Sequence, residues 1–249
     1  MRRELKYLVR EADRDRLYGL LDPYVRPDAH ADDAERRPSY TVRSVYFDTP
    51  GLWDFTQKLS GDEQRVKVRV RGYDAPGGPV FLEVKRKRGG AVWKDRAAVE
   101  AADAFSVLAG GPAPPLEAAR RFTYRLRRDG RRPVLLVVYD REPLVGRLDP
   151  SLRVTLDRRL RCRPYPALGA DLGGLYREAG LRPTLRDHFI LEVKFDRTFP
   201  SWFGAVVARL GLRREALSKY GMGVEHTAGH AGARFGVPAV LAGARLGAP

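Results

Sequence analysis

Arg65-Val66-Lys67-Val68-Arg69-Val70-Arg71-Gly72-Tyr73 is the stretch from which the fold of this chain can be read. Its alternation has a period of two, so a β-strand here sets Arg65, Lys67, Arg69 and Arg71 on one face and Val66, Val68 and Val70 on the other. One face is apolar and the other is wholly cationic. Two unit charges about 6 Å apart repel by roughly 3 kcal/mol at an effective dielectric near 20, so such a row needs water or a polyanion opposite it.

Outward from that strand the design recurs. Glu4-Leu5-Lys6-Tyr7-Leu8-Val9 alternates with Glu4 and Lys6 on one face, and Val80 to Lys87 sets Glu83, Lys85 and Lys87 against Leu82, Val84 and Arg86. Tyr139 and Arg141 share a face of a strand from Pro133 to Asp140 and its continuation, and Arg153, Thr155, Asp157 and Arg159 share one on the strand to Leu160. Phe189 to Phe195 repeats Phe81 to Lys85 almost letter for letter, with Glu192 and Lys194 two positions apart as Glu83 and Lys85 are. Tyr40 to Phe47 and Ala91 to Val99 complete the expected strands, with helices expected over Glu11 to Tyr24, over Leu116 to Arg128 and after Pro200. The tail from His226 to Pro249 is rich in Ala and Gly and is expected to be a poorly ordered appendage to a domain spanning residues 1–225.

The 249 residues carry 46 Lys and Arg against 31 Asp and Glu, a formal charge of +15, which favours a phosphate-rich or otherwise anionic partner. Arginine dominates, and its planar fork suits phosphate oxygens. The single cysteine, Cys162, excludes an internal disulfide and suits a reducing compartment. Met1-Arg2-Arg3 leads into Glu4-Leu5-Lys6-Tyr7 rather than an apolar run, and no window approaches the length of an apolar membrane span. The expectation is a cytoplasmic protein with no membrane span in this chain, a reading that accommodates a membrane-bound partner.

Antiparallel strands with cations opposite their apolar faces imply a sheet curled so that the polar faces converge. An interior with Lys6, Arg69, Arg71, Lys85, Arg141, Arg153 and Lys194 is repulsive when dry and favourable around linked phosphates, with Lys67 on the same face as Arg69. The sparse carboxylates Glu83, Glu192 and Glu4 are then candidates for a hard divalent cation, which takes oxygen ligands and bridges carboxylate to phosphate. His30, His188, His226 and His230 supply no metal-ligand spacing.

Several fragments, taken in order, resemble a known family. They are Glu4-Leu5-Lys6-Tyr7, Ser44-Val45-Tyr46-Phe47-Asp48, Arg69-Val70-Arg71-Gly72-Tyr73, Leu82-Glu83-Val84-Lys85, Tyr139-Asp140-Arg141, Arg153-Val154-Thr155-Leu156-Asp157, Leu191-Glu192-Val193-Lys194 and Ser218-Lys219-Tyr220. Their order is similar to that of the VTC domain, the polyphosphate polymerase branch of the triphosphate tunnel metalloenzymes. The resemblance implies an α+β fold: a closed tunnel-like barrel of about eight antiparallel strands with helices packed outside. It implies transfer of the γ-phosphate of ATP to a growing polyphosphate chain, with manganese or magnesium as cofactor and ATP, triphosphate and polyphosphate as partners. It makes Lys6, Arg69, Arg71, Lys85, Arg141, Arg153 and Lys219 the phosphate ligands of the reacting centre, Tyr139 and Ser218 hydrogen-bond donors, Lys194 a second basic residue and Glu192 the metal holder. The wider superfamily opens with Glu-x-Glu-x-Lys, whereas here the first position is Arg2, a departure that suits a polymerase better than a two-metal hydrolase.

Three other functions are compatible with these residues. An inorganic triphosphatase is the enzymatic alternative, and a non-catalytic module binding polyphosphate or inositol phosphates follows it. Nucleic-acid binding ranks last, because no set of base-stacking aromatics is interleaved with the cationic strand.

Overall fold

Residues 3–28, 38–165, 171–196 and 198–230 are described by a computed structural model. Arg2 and His30, and most of the expected tail, lie outside them. Among the described residues the chain is α+β, with ten strands in an antiparallel sheet and six α-helices. The hydrogen-bonded path of strands has two ends and is not closed on itself. The chain divides into two compact units, the first made of residues 1–42, 138–161 and 183–218, the second of residues 43–137, 162–182 and 219–249.

In the first unit the strands are β1 (Arg3–Arg10), β2 (Val25–Pro27), most of β7 (Arg132–Gly146) and β8 (Arg153–Pro164), and β10 (His188–Phe195), with hydrogen-bonded order β1-β10-β8-β7. The register pairs Lys6 with Glu192 and Glu4 with Lys194, then Glu192 with Thr155 and Lys194 with Arg153. Residues directly opposite in a ladder share a face, so these side chains all stand on one side. On the other side Tyr7, Val9, Val154, Leu156, Leu191 and Val193 join a core closed by Leu17 and Leu21 of α1 (Arg14–Leu21) and by Phe203 and Val206 of α5 (Ser201–Arg209). The apolar faces are therefore the ones roofed by helices, which leaves the charged faces on the side away from them.

The second unit repeats that arrangement with β3 (Tyr40–Asp48), β4 (Arg65–Tyr73), β5 (Val80–Arg88) and β6 (Ala91–Val99) in the order β3-β4-β5-β6. Val68, Val70, Leu82, Val84 and Ala97 are buried under α3 (Ala101–Leu108) and α4 (Glu117–Arg128), where Phe122 packs edge-on to Phe47. Gly72 is required by close approach, since a Cβ there would lie 2.5 Å from the Tyr176 hydroxyl. α2 (Trp53–Leu59) begins where the buried Asp48 carboxylate accepts from the backbone N–H groups of Asp54 and Phe55. α6 (Lys219–His230) runs past residue 226, so the first residues of the expected tail are helical and Thr227 is buried.

Two sequence expectations change. The strands ending at Asp140 and Leu160 continue to Gly146 and Pro164. Arg159, expected beside Thr155 and Asp157, has φ of 48° and joins Arg158 in pairing with the even-numbered acids of β7, Arg159 with Asp140 and Arg158 with Glu142. This is a bulge, in which one residue in the left-handed region breaks the alternation that a period-two reading assumes.

Candidate functional site

Each unit builds one centre around a strand glutamate. In the first, Glu192 on β10 has a side chain only 5% exposed and is held by three cations. Lys6 Nζ lies 3.2 Å from Glu192 and 3.2 Å from Glu4, Lys194 Nζ lies 3.1 Å from Glu192, and Arg141 lies 3.7 Å from it. Arg141 is placed from below by Asp157, which is fully buried and accepts from its Nε and Nη2 at 2.6 and 2.7 Å. This bidentate, desolvated pair outweighs the burial that opposes ionisation and holds the guanidinium well above its ordinary pKa. The Tyr139 ring is buried with the Arg141 guanidinium 5.4 Å from its centroid.

Arg153 is turned to Asp28 at 2.5 Å, and Ser218 is buried without entering the ion pairs described around Glu192. The expected residues Lys6, Arg141, Lys194, Glu192 and Glu4 are thus brought together, with Arg153 and Lys194 opposite one another on the adjoining rung.

In the second unit Glu83 on β5 is ringed by guanidiniums, with Arg69 at 2.5 Å, Arg96 at 3.5 Å and Arg71 at 3.8 Å. Burial alone would raise the Glu83 pKa, but attraction to Arg69, then Arg71 and Arg96, reverses the sign and lowers it. The neighbouring rung aligns Lys67, Lys85 and Lys94 across β4, β5 and β6. Like charges directly opposite across a ladder are destabilising. On these two rungs and Arg71 the sheet face carries six cations and one carboxylate.

Arg69 Nη1 donates to the Tyr46 hydroxyl at 2.9 Å, and Arg71 Nε donates to Ser44 at 3.3 Å. Burial would push the Tyr46 phenol up, yet Arg69, Arg71 and Lys67 together bring it down to about 8. Tyr46 stacks on Tyr220 with centroids 5.1 Å apart, and the Tyr220 hydroxyl donates to Asp48 at 2.7 Å. Burial and the Asp48 carboxylate keep the Tyr220 phenol raised and neutral. That bond pins the first turn of α6, whose first residue is the buried Lys219.

The sequence profile of the VTC domain matches residues 1–228. This chain belongs to the VTC domain family. With it comes a place in the triphosphate tunnel metalloenzyme superfamily. Among solved structures, a candidate adenylate cyclase from Bacillus halodurans matches 86% of this chain and 92% of its own, at 13% identity and a TM-score of 0.53. A candidate adenylyl cyclase from Hippeastrum, described as having a dominant triphosphatase activity, matches over 91% of this chain and 97% of its own at 15% identity and a TM-score of 0.49. No curated protein matches the sequence.

Lys94 and Arg96 belong to the second centre of this VTC domain but were not singled out as site residues from the sequence. Their strand reads Ala91-Val92-Trp93-Lys94-Asp95-Arg96, where the charges alternate in sign and lack the uniform cationic row of β4. The signal that finds them is register: each lies opposite a residue already in the site, Lys94 opposite Lys85 and Arg96 opposite Glu83.

Proposed function

We propose that this VTC domain is a cytoplasmic, ATP-dependent polyphosphate polymerase. The observation that carries the proposal is the face of β4, β5 and β6, where, from the rung of Lys67, Lys85 and Lys94 to Arg71, six cations stand against the single carboxylate of Glu83. Such a face is relieved by a chain of linked phosphates.

In the reaction a terminal oxygen of polyphosphate attacks the γ-phosphorus of ATP, the bond from that phosphorus to the β–γ bridging oxygen breaks, and ADP leaves with the electron pair. Phosphoryl transfer needs positioning and charge stabilisation more than covalent work, so no side chain is assigned as nucleophile. Arg69, Arg71, Lys67, Lys85 and Lys219 bind and orient phosphates, as do Lys6, Arg141, Arg153 and Lys194, with Tyr139 and Ser218 in supporting roles.

The family implies a divalent metal, and the donor sets differ in how well they suit one. No group of three or more acids, histidines or cysteines placed to hold a metal occurs among the described residues, so the protein alone does not build a complete cage. Glu192 and Glu4 both present an oxygen to Lys6, and this all-oxygen pair fits a magnesium or manganese ion that takes its remaining ligands from phosphate. Glu83 does not fit, because three guanidiniums face it with no second carboxylate beside it, whereas the three cations at Glu192 are balanced by Glu4 and Asp157. When bound, the metal would offset charge on the phosphates.

Incubation of the purified protein with ATP and manganese, followed by gel separation, tests the reading. A ladder of long anions is expected. Release of orthophosphate alone would replace the polymerase with a triphosphatase, and neither product would leave a binding module.

A further inference from the structure

Thr155 stands on β8 directly opposite Glu192, on the charged face between Arg153 and Asp157. It is 7% exposed, and its hydroxyl oxygen is buried with no hydrogen-bond partner. The groups around it are engaged: Asp157 with Arg141, Arg153 with Asp28, and Glu192 with Lys6, Lys194 and Arg141. A buried hydroxyl that makes no bond keeps the whole desolvation cost of its burial. Valine has nearly the same shape and favours a strand equally well, so packing alone gives no reason for an oxygen at this place.

We infer that the Thr155 hydroxyl donates a hydrogen bond to a phosphate oxygen of the ligand held at the Glu192 centre, and so is a phosphate-binding residue. This rests on the reading that the centre takes phosphates. The donor's direction follows from its surroundings. Lys6, Lys194 and Arg153 draw an anion to this face, and Glu192 already has three cationic partners, so an incoming phosphate oxygen is the acceptor that the hydroxyl lacks. In the ligand-free protein the group is a local cost, and binding removes it, which is a common relation between stability and function at a site.

The test is calorimetric titration of inorganic triphosphate into the full chain, run once with a chelator and once with magnesium, together with thermal melting of the ligand-free protein. Thr155→Val is expected to melt at or above the temperature of the parent protein while binding triphosphate about tenfold more weakly. Thr155→Ser, which keeps the hydroxyl and loses the methyl group, is expected to bind within about twofold of the parent. Valine binding as tightly as threonine, serine binding as weakly as valine, or a lower melting temperature for the valine protein would each overturn the inference and assign Thr155 to packing. A parent protein that does not bind triphosphate at all would instead remove the phosphate-binding reading of the centre, and the inference with it.

Discussion

The Glu192 and Glu83 centres share a local sequence, Leu-Glu-Val-Lys on a strand, and differ in charge. Around Glu192 three cations, Lys6, Lys194 and Arg141, meet three carboxylates, Glu192, Glu4 and Asp157. Around Glu83 three guanidiniums meet one carboxylate, with a rung of three lysines beside them. The strand opposite makes the difference, since β1 offers Glu4 and Lys6 to Glu192, while β4 and β6 offer Arg69 and Arg96 to Glu83. A balanced centre suits a metal shared with phosphate, and a cationic centre suits phosphate directly. The same glutamate can thus hold a metal in one setting and space apart arginines in the other.

The comparison is broken most severely through Asp157. It is fully buried and bidentate to Arg141, so Asp157→Asn leaves a desolvated guanidinium short of its counter-charge and is expected to lower stability by about 3–5 kcal/mol in chemical denaturation. Glu83→Gln removes the only carboxylate from a cationic face, and here added polyphosphate is expected to restore the lost stability, because the anion takes over its role. Restoration of both variants, or of neither, would mean that the two centres do not differ as their charges indicate.

Function separates them next. Glu192→Gln is expected to abolish metal-dependent turnover while keeping polyphosphate binding, whereas Arg69→Ala weakens binding by about tenfold to a hundredfold and turnover with it. Arg69→Ala should also flatten the salt dependence of binding, since one charge contact with phosphate is lost. Undiminished turnover in the glutamine variant would end the assignment of Glu192 to the metal.

Much of this was legible in the sequence because period-two alternation is a local signal. The faces of β1, β4, β5 and β10 follow directly from it. Ladder register is not local, so the alignment of Lys94 with Lys85 and of Thr155 with Glu192 had to come from the fold. The turn from Arg158 to Arg159 was hidden for a different reason: a left-handed arginine carries no residue-type signature of the kind that glycine supplies. α6 was missed because its anchor is long-range, the Tyr220 hydroxyl on Asp48, whereas the same carboxylate holds the start of α2 from only six and seven positions away.

The smallest expected effect concerns pH, and only the cationic centre should show it. Tyr46 faces Arg69, Arg71 and Lys67 of β4, Ser44 of its own strand and the neutral Tyr220 of α6, and its phenol falls to about 8. Because the folded value lies below the ordinary one near 10, ionisation of Tyr46 adds stability as pH rises from about 8 toward 10, and that contribution is lost as pH falls through 8. For an anionic ligand the sign is reversed. A tyrosinate cancels one positive charge of the face, so polyphosphate affinity should fall a few-fold above pH 8, and bound polyphosphate should in return raise the Tyr46 pKa. Tyr46→Phe should abolish both the alkaline fall in affinity and the tyrosinate absorbance that accompanies it. If the phenylalanine variant keeps the same alkaline limb, another group titrates there, and the positive face does not act on Tyr46 as its geometry implies.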